Sequence, residues 1–263
     1  MKIIDGGVTA AKGFKAAGMH AGIKKGTKKD MAMIVSSAPC MAAGTFTTNL
    51  VKAAPVKWDQ HVVYEHGEAR AVVVNSGIAN ACTGAEGYGY CEETAKAAAE
   101  ALGIDKDEVL VASTGVIGKQ LPIDTIKKGV KDLFGLLLDT REAATLAAES
   151  IMTTDTVKKE VAVEVEIGGK TVTIGGMCKG SGMIHPNMCT MLSFLMTDAA
   201  ISKEMLQKAL SADVDDTYNM ISVDGDTSTN DTVLLLANGL AENPEITEEG
   251  EDYQTSVSYT HLR

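Results

Sequence analysis

Apolar and polar positions alternate most cleanly in EVAVEVEIGGKTVTIGG, residues 160–176. Val161, Val163, Val165 and Ile167 alternate with polar neighbours, Gly168-Gly169 supplies a two-residue turn, and Val172 and Ile174 resume the alternation. That pattern predicts a β-hairpin. Continuous apolar runs predict buried strands at MAMIVSS (31–37), ARAVVVNSG (69–77), VLVASTG (109–115) and TVLLLANG (232–239). Another apolar run starts directly after Thr190. Helices are predicted from about Glu92 to a stop at Gly103, from Pro122 to about Leu138, from a Thr140 cap to about Met152, and after a Ser202 cap. Helices and strands alternate, but a hairpin cannot belong to a purely parallel sheet. The pattern therefore predicts an α/β fold, a mixed-sheet sandwich with outer helices.

Composition narrows the class. The chain has 263 residues, 45% hydrophobic and 22% charged, enough for one large domain or two small ones. A net charge of −11 repels phosphate backbones and argues against nucleic-acid partners. The single basic patch, Lys24, Lys25, Lys28 and Lys29, reads as a solvated loop. The start lacks an apolar core of signal-peptide length, and no apolar run approaches the roughly 20 residues of a membrane span. Five cysteines, an odd number without a C-x-x-C pair, favour a reducing, cytoplasmic setting and free thiols. After Gly239 the chain turns acidic (AENPEITEEGED) and ends in YQTSVSYTHLR. With no apolar partner pattern, residues 241–263 are expected to be an anomalous, disordered tail on a truncated or chimeric gene product.

Several chemical motifs fail on inspection. GGKT at 168–171 has Glu164 where a P-loop needs Gly, so it is the hairpin turn. DGDTSTND (224–231) imitates a calcium loop with Asp224, Asp226 and Ser228, yet Thr229 replaces the required Gly and Leu235 the terminal Glu. Its side chains are expected to satisfy backbone amides in a tight loop. The histidines form no metal-ligand spacing, His185 reads as a loop residue, and Cys82 and Cys189 read as small buried residues. KGSGMIHPNMCTMLSFLMTDA (179–199) is more informative. A Gly-rich loop leads to Cys189-Thr190 at the mouth of an apolar strand. Cleavage between the two would give Thr190 a hydroxyl and a free amine on one residue, a nucleophile beside its own base. By itself, a Thr at a strand start is a structural choice, because β-branched residues favour strands. Thr114-Gly115 at the end of a buried strand could present amides to an oxyanion, or simply turn the chain.

KGSGMIHPNMCTML resembles the self-cleavage segment of the ornithine acetyltransferase family, also called the ArgJ or glutamate N-acetyltransferase family. Five other blocks agree in order: GGVTAAKGFKAAGMHAGIK, MAMIVSSAPCMAAGTFTTNLVKAAPV, VVVNSGIANACTGAEG, VLVASTGVIGKQLP and VDGDTSTNDTVLLLANG, over roughly residues 5 to 240. The resemblance implies a DmpA/ArgJ-like fold that cuts itself before Thr190 into an α piece (1–189) and a β piece whose start is 190–240, associated as an α2β2 heterotetramer. It implies Thr190 as nucleophile, Thr114 and Gly115 as the oxyanion pair, Lys179 as a substrate-binding lysine, and a substrate-binding threonine in MTTDT at Thr153, with Thr154 the alternative. The implied reaction moves acetyl from N-acetyl-L-ornithine to L-glutamate through acetyl-Thr190, without metal or redox cofactor; acetyl-CoA is a further candidate donor. Neither nucleic acid nor membrane is an expected partner. Cys189 stands where the family usually has Ala, and Ile78 where it usually has Asn. A Glu and an Asn/Ser pair from the end of the family's β piece have no counterpart. Two competing expectations stay open: a self-processing amidohydrolase or aminopeptidase using Thr190, and an inactive fragment.

Overall fold

The predicted hairpin forms as drawn. In the computed structural model, which describes residues 1–183 and 191–257, Ile167 pairs with Lys170. Gly168 and Gly169 both take positive φ, 55° and 75°, as a tight hairpin turn requires. The described elements run β1 (Lys2–Ile4), β2 (Phe14–Met19), β3 (Met31–Phe46), α1 (Ala54–His61), β4 (Glu68–Ile78), α2 (Gly84–Leu102), β5 (Val109–Val116) and α3 (Ile123–Phe134). Then follow α4 (Arg141–Ile151), β6 (Lys159–Ile167), β7 (Lys170–Lys179), β8 (Leu192–Thr197), α5 (Lys203–Asp216), β9 (Thr232–Ala237) and α6 (Glu251–Val257).

Among the described residues, all nine strands share one mixed sheet in the order β1-β6-β7-β8-β9-β3-β4-β5, with β2 on β3. β4 and β5 are parallel, as are β8 and β9. A register shift between Val35 and Cys40 divides β3; only its second half reaches β9. In a flat sheet β7 and β5, five places apart, would be separated by roughly 24 Å. Yet Lys179 Nζ at the end of β7 lies 3.4 Å from Thr114 Oγ1 on β5. The sheet therefore folds over on itself, the sandwich that the alternating pattern predicts, with helices against it.

Alternate residues of the central strands enter different cores. Leu192, Phe194 and Met196 of β8, with Leu234 and Leu236 of β9, join α1 to α4 in the larger core. Leu195, Val233 and Leu235 meet α5 and Tyr253 in the smaller one. Thr140 and Ser202 cap α4 and α5 by accepting the N–H groups of Ala143 and Met205. Two predicted boundaries move. α2 begins at Gly84, about two turns before Glu92, because the Asn80 side chain donates to the Gly87 carbonyl and outweighs the weak helix preference of its glycines. α3 ends at Phe134, since Leu138 leaves to bridge Ala16.

The acidic segment after Gly239 also differs from expectation. Asn243 holds both backbone polar groups of Ala200. Ile246 bridges Ile201, and Ile246 and Tyr253 are each 4% exposed in the smaller core. Residues 241–257 are thus docked; 258–263 lie outside the described residues. No described helix is long and apolar enough to cross a membrane.

Candidate active site

The ends of β5 and β7 meet where the sheet folds over. Thr114 is buried on β5, and Gly115 follows with φ +135°. A Cβ on Gly115 would stand 2.3 Å from the Gly77 carbonyl carbon, so only glycine lets the two parallel strands approach there. Asn230, just before β9, donates to the Ala79 and Ser113 carbonyls at 2.7 and 2.8 Å and fixes the backbone beside Thr114. The Lys179 ammonium donates to Thr114 Oγ1. Thr114 keeps its own hydroxyl hydrogen for another acceptor, the property an oxyanion donor needs.

Charge is concentrated and buried around this point. Lys179 is 3% exposed. Burial pushes its ammonium below the usual lysine range, Asp155 opposes that, Lys159 adds to it, and Asp231 opposes it. Asp155, between α4 and β6, accepts from Lys159 Nζ (2.6 Å), Gly180 N (2.8 Å) and Thr153 N (3.3 Å). Burial alone would raise this carboxyl, but Lys159, the Gly180 N–H and Lys179 hold it below the usual carboxylate range. Lys24 reaches in from the N-terminal loop, donating to the Met152 and Lys29 carbonyls at 2.6 and 2.9 Å. Burial lowers it to about 8, with Asp30 opposing and Lys28 and Lys179 adding.

Asp231 sits at the entry to β9 with 0% exposure. One oxygen accepts the Met191 N–H at 3.0 Å; the other is buried and, among the described residues, meets no donor in hydrogen-bonding geometry. Burial raises the carboxyl to about 8, with the Met191 N–H, the nearby Ser228 hydroxyl and Lys179 pulling the other way.

Of the residues singled out from sequence, the fold brings Thr114, Gly115 and Lys179 together. Thr153 reaches the same cluster through Asp155. Thr154 instead pairs its hydroxyl with Ser181 Oγ at 2.6 Å. Thr190 and Cys189 lie outside the described residues, as does His185. Lys24, Asp155, Asn230 and Asp231 belong to the site without having been singled out. The basic patch is not simply solvated, since Lys24 enters the site and Lys29 pairs with Glu149 at 2.9 Å. Cys82 is exposed rather than buried, whereas burial pushes the Cys40 thiol up to about 12 and the Cys91 thiol well up. In the mock calcium loop, Asp224 accepts the Met183 N–H at 2.5 Å, as a backbone-satisfying loop should. No cluster of three metal-ligating side chains occurs among the described residues.

The ArgJ family model matches residues 15–261. The arginine biosynthesis bifunctional protein ArgJ of Symbiobacterium thermophilum is 56% identical over 248 residues, covering 94% of this chain and 61% of that protein. Its namesake in Caldanaerobacter subterraneus is 51% identical over 262 residues, covering 100% of this chain and 64% of that protein. The chain spans about three fifths of the length of the curated relatives it matches. Among solved structures, arginine biosynthesis bifunctional protein ArgJ from Bacillus halodurans superposes with TM-score 0.68 at 45% identity, over 73% of this chain and 97% of that one. Ornithine acetyltransferase from Mycobacterium tuberculosis, complexed with ornithine, gives 0.64 at 42% identity, over 70% and 97%. An L-aminopeptidase D-Ala-esterase/amidase from Ochrobactrum anthropi, described as a variant of the Ntn hydrolase fold, gives 0.57 at 11% identity over 99% of this chain and 86% of that one, a likeness of fold alone.

Proposed function

The chain belongs to the ArgJ family, and from that premise we propose that it transfers acetyl from N-acetyl-L-ornithine to L-glutamate in arginine biosynthesis. The observation that carries this reading is the junction of Thr114, Gly115 and Lys179: a hydroxyl donor, a glycine-only backbone turn and a buried cation within one cluster. In this reading the chain first cuts itself between Cys189 and Thr190. The Thr190 hydroxyl then attacks the acetamide carbon, and its freed amine takes the proton. An α-amine titrates near about 8, close to working pH, where a general base is most effective.

Thr114 and Gly115 stabilise the oxyanion, a contribution of about 10²–10³ in rate for a single donor. Ornithine leaves with the proton, an ester remains on Thr190, and the glutamate amine attacks that ester to give N-acetylglutamate. Lys179 and Thr153 hold substrate polar groups. A carboxylate brought to Lys179 would restore the ammonium charge that burial disfavours. Amide is exchanged for amide through an ester, so the chemistry requires neither metal nor redox group. Acetyl-CoA would enter as an alternative acetyl donor to the same threonine. The expected assembly is α2β2, in the cytoplasm.

The test is to incubate the purified chain with N-acetyl-L-ornithine and L-glutamate and follow both N-acetylglutamate and acetate. N-Acetylglutamate dependent on Thr190 is expected. Acetate released without transfer would make the chain an amidohydrolase. No turnover by a chain already cut at 189/190 would make it a processing-competent but inactive piece.

A further inference from the structure

Met191 is the second residue after the proposed cut, and the entry to β9 holds both of its backbone polar groups. Its N–H is held by Asp231 Oδ1 at 3.0 Å, and its carbonyl accepts the Thr232 N–H at 3.0 Å. The second contact is what a continuing β8–β9 ladder would supply, since Leu192 pairs with Thr232. The first is not: a side chain, fully buried, stands in for a strand. Asp231 is itself tied down, because its carbonyl accepts the Thr47 N–H at 2.9 Å and Asn230 beside it is bonded to the end of β5. The carboxyl thus links Met191 to the backbone that presents Thr114. An anchor for strand ends alone would be cheaper as a neutral side chain with both polar atoms satisfied, yet here one carboxyl oxygen is buried and, among the described residues, meets no donor in hydrogen-bonding geometry.

We propose that Asp231 is a positioning residue for self-cleavage, its carboxyl holding the Met191 N–H and so fixing the chain one residue past Thr190. The proposal rests on the reading that the chain cuts itself before Thr190. In that cut the Thr190 hydroxyl oxygen bonds to the Cys189 carbonyl carbon and the Cys189–Thr190 C–N bond breaks. The hydroxyl proton ends on the freed amine. Water then hydrolyses the ester, leaving a Cys189 carboxylate and the Thr190 hydroxyl. Asp231 supplies none of these atoms; it acts through the amide of Met191.

The experiment is intact-mass analysis of full chains over a time course after synthesis: wild type, Thr190→Ala, Asp231→Ala and Asp231→Asn, each with a thermal melt. Wild type should resolve into two pieces and Thr190→Ala should stay whole. Asp231→Ala should be cut at least about tenfold more slowly while melting cooperatively. Asp231→Asn, which keeps an acceptor for the Met191 N–H, should be cut within about threefold of wild type. A folded Asp231→Ala cut at the wild-type rate overturns the proposal, as does an Asn variant that fails like Ala. An uncut wild type overturns the cleavage reading and the proposal with it. If Asp231→Ala does not fold, amide exchange in the whole Thr190→Ala chain decides: Met191 should be protected at least about a hundredfold, and exchange at the unstructured rate overturns the proposal.

Discussion

Two buried aspartates, Asp30 and Asp231, meet the same problem in opposite ways. Asp30 accepts the N–H groups of Ala21, Gly22, Ile23 and Lys24 at 2.6, 3.3, 2.8 and 2.9 Å and lies 3.2 Å from the His20 ring. Its donors come from one short loop, which winds round the carboxylate as an anion-binding nest. Asp231 holds one N–H, has one oxygen that meets no donor in hydrogen-bonding geometry among the described residues, and is raised by burial to about 8. A saturated carboxylate anchors a loop; an unsaturated one, beside the segment where cleavage is expected, marks a place where structure is not the only demand.

The comparison can be broken most forcefully at Asp30. Asp30→Ala removes the acceptor of four backbone donors in one loop, and urea unfolding should show a loss of about 3–4 kcal/mol; a loss under about 1 kcal/mol would mean that the loop does not depend on its carboxylate. Next comes Lys179, the cation shared by the two sides of the site. Lys179→Met should weaken binding of carboxylate substrates about 10–100-fold by calorimetry, the cost of losing a charged hydrogen bond. Because burial has lowered the Lys179 pKa, wild-type affinity should fall as pH rises through that lowered value while the Met variant stays flat.

A pH series sharpens the Asp231 side. Its folded pKa stands above the unfolded one, so the folded state binds the extra proton. The stabilisation is complete below the unfolded value and is lost as pH rises from about 4 to about 8. The melting temperature of wild type should therefore drop relative to Asp231→Asn across that window. A constant gap would mean that Asp231 is ionised throughout.

The same contrast explains what could be read from the chain. The hairpin at 159–179, the buried strands and the caps at Thr140 and Ser202 were legible because their signals are local: period-two alternation, apolar runs, a hydroxyl before a helix. Thr114-Gly115 could be read locally as an oxyanion turn or a plain one, Lys179 was legible only through the family resemblance, and it takes the folded-over sheet to bring β5 and β7 into contact. Lys24 looked like part of a solvated patch because its environment is made by Asp30 and by Met152, far along the chain. Asp231 was hidden in a loop resembling a calcium site, and nothing local reveals that its partner is Met191. The docking of Ile246 and Tyr253 was missed for a related reason: two apolar residues in an acidic stretch form no period, but the core beside α5 receives them.

The central claim is that Thr190 carries the acetyl group on a self-made N-terminus. Mass analysis of the piece beginning at Thr190 tests it most directly. Mixed with N-acetyl-L-ornithine alone, that piece should gain one acetyl group and lose it when L-glutamate is added, with N-acetylglutamate appearing in equal amount. A chain that remains uncut, or a cut chain that never carries acetyl on Thr190, would contradict the account.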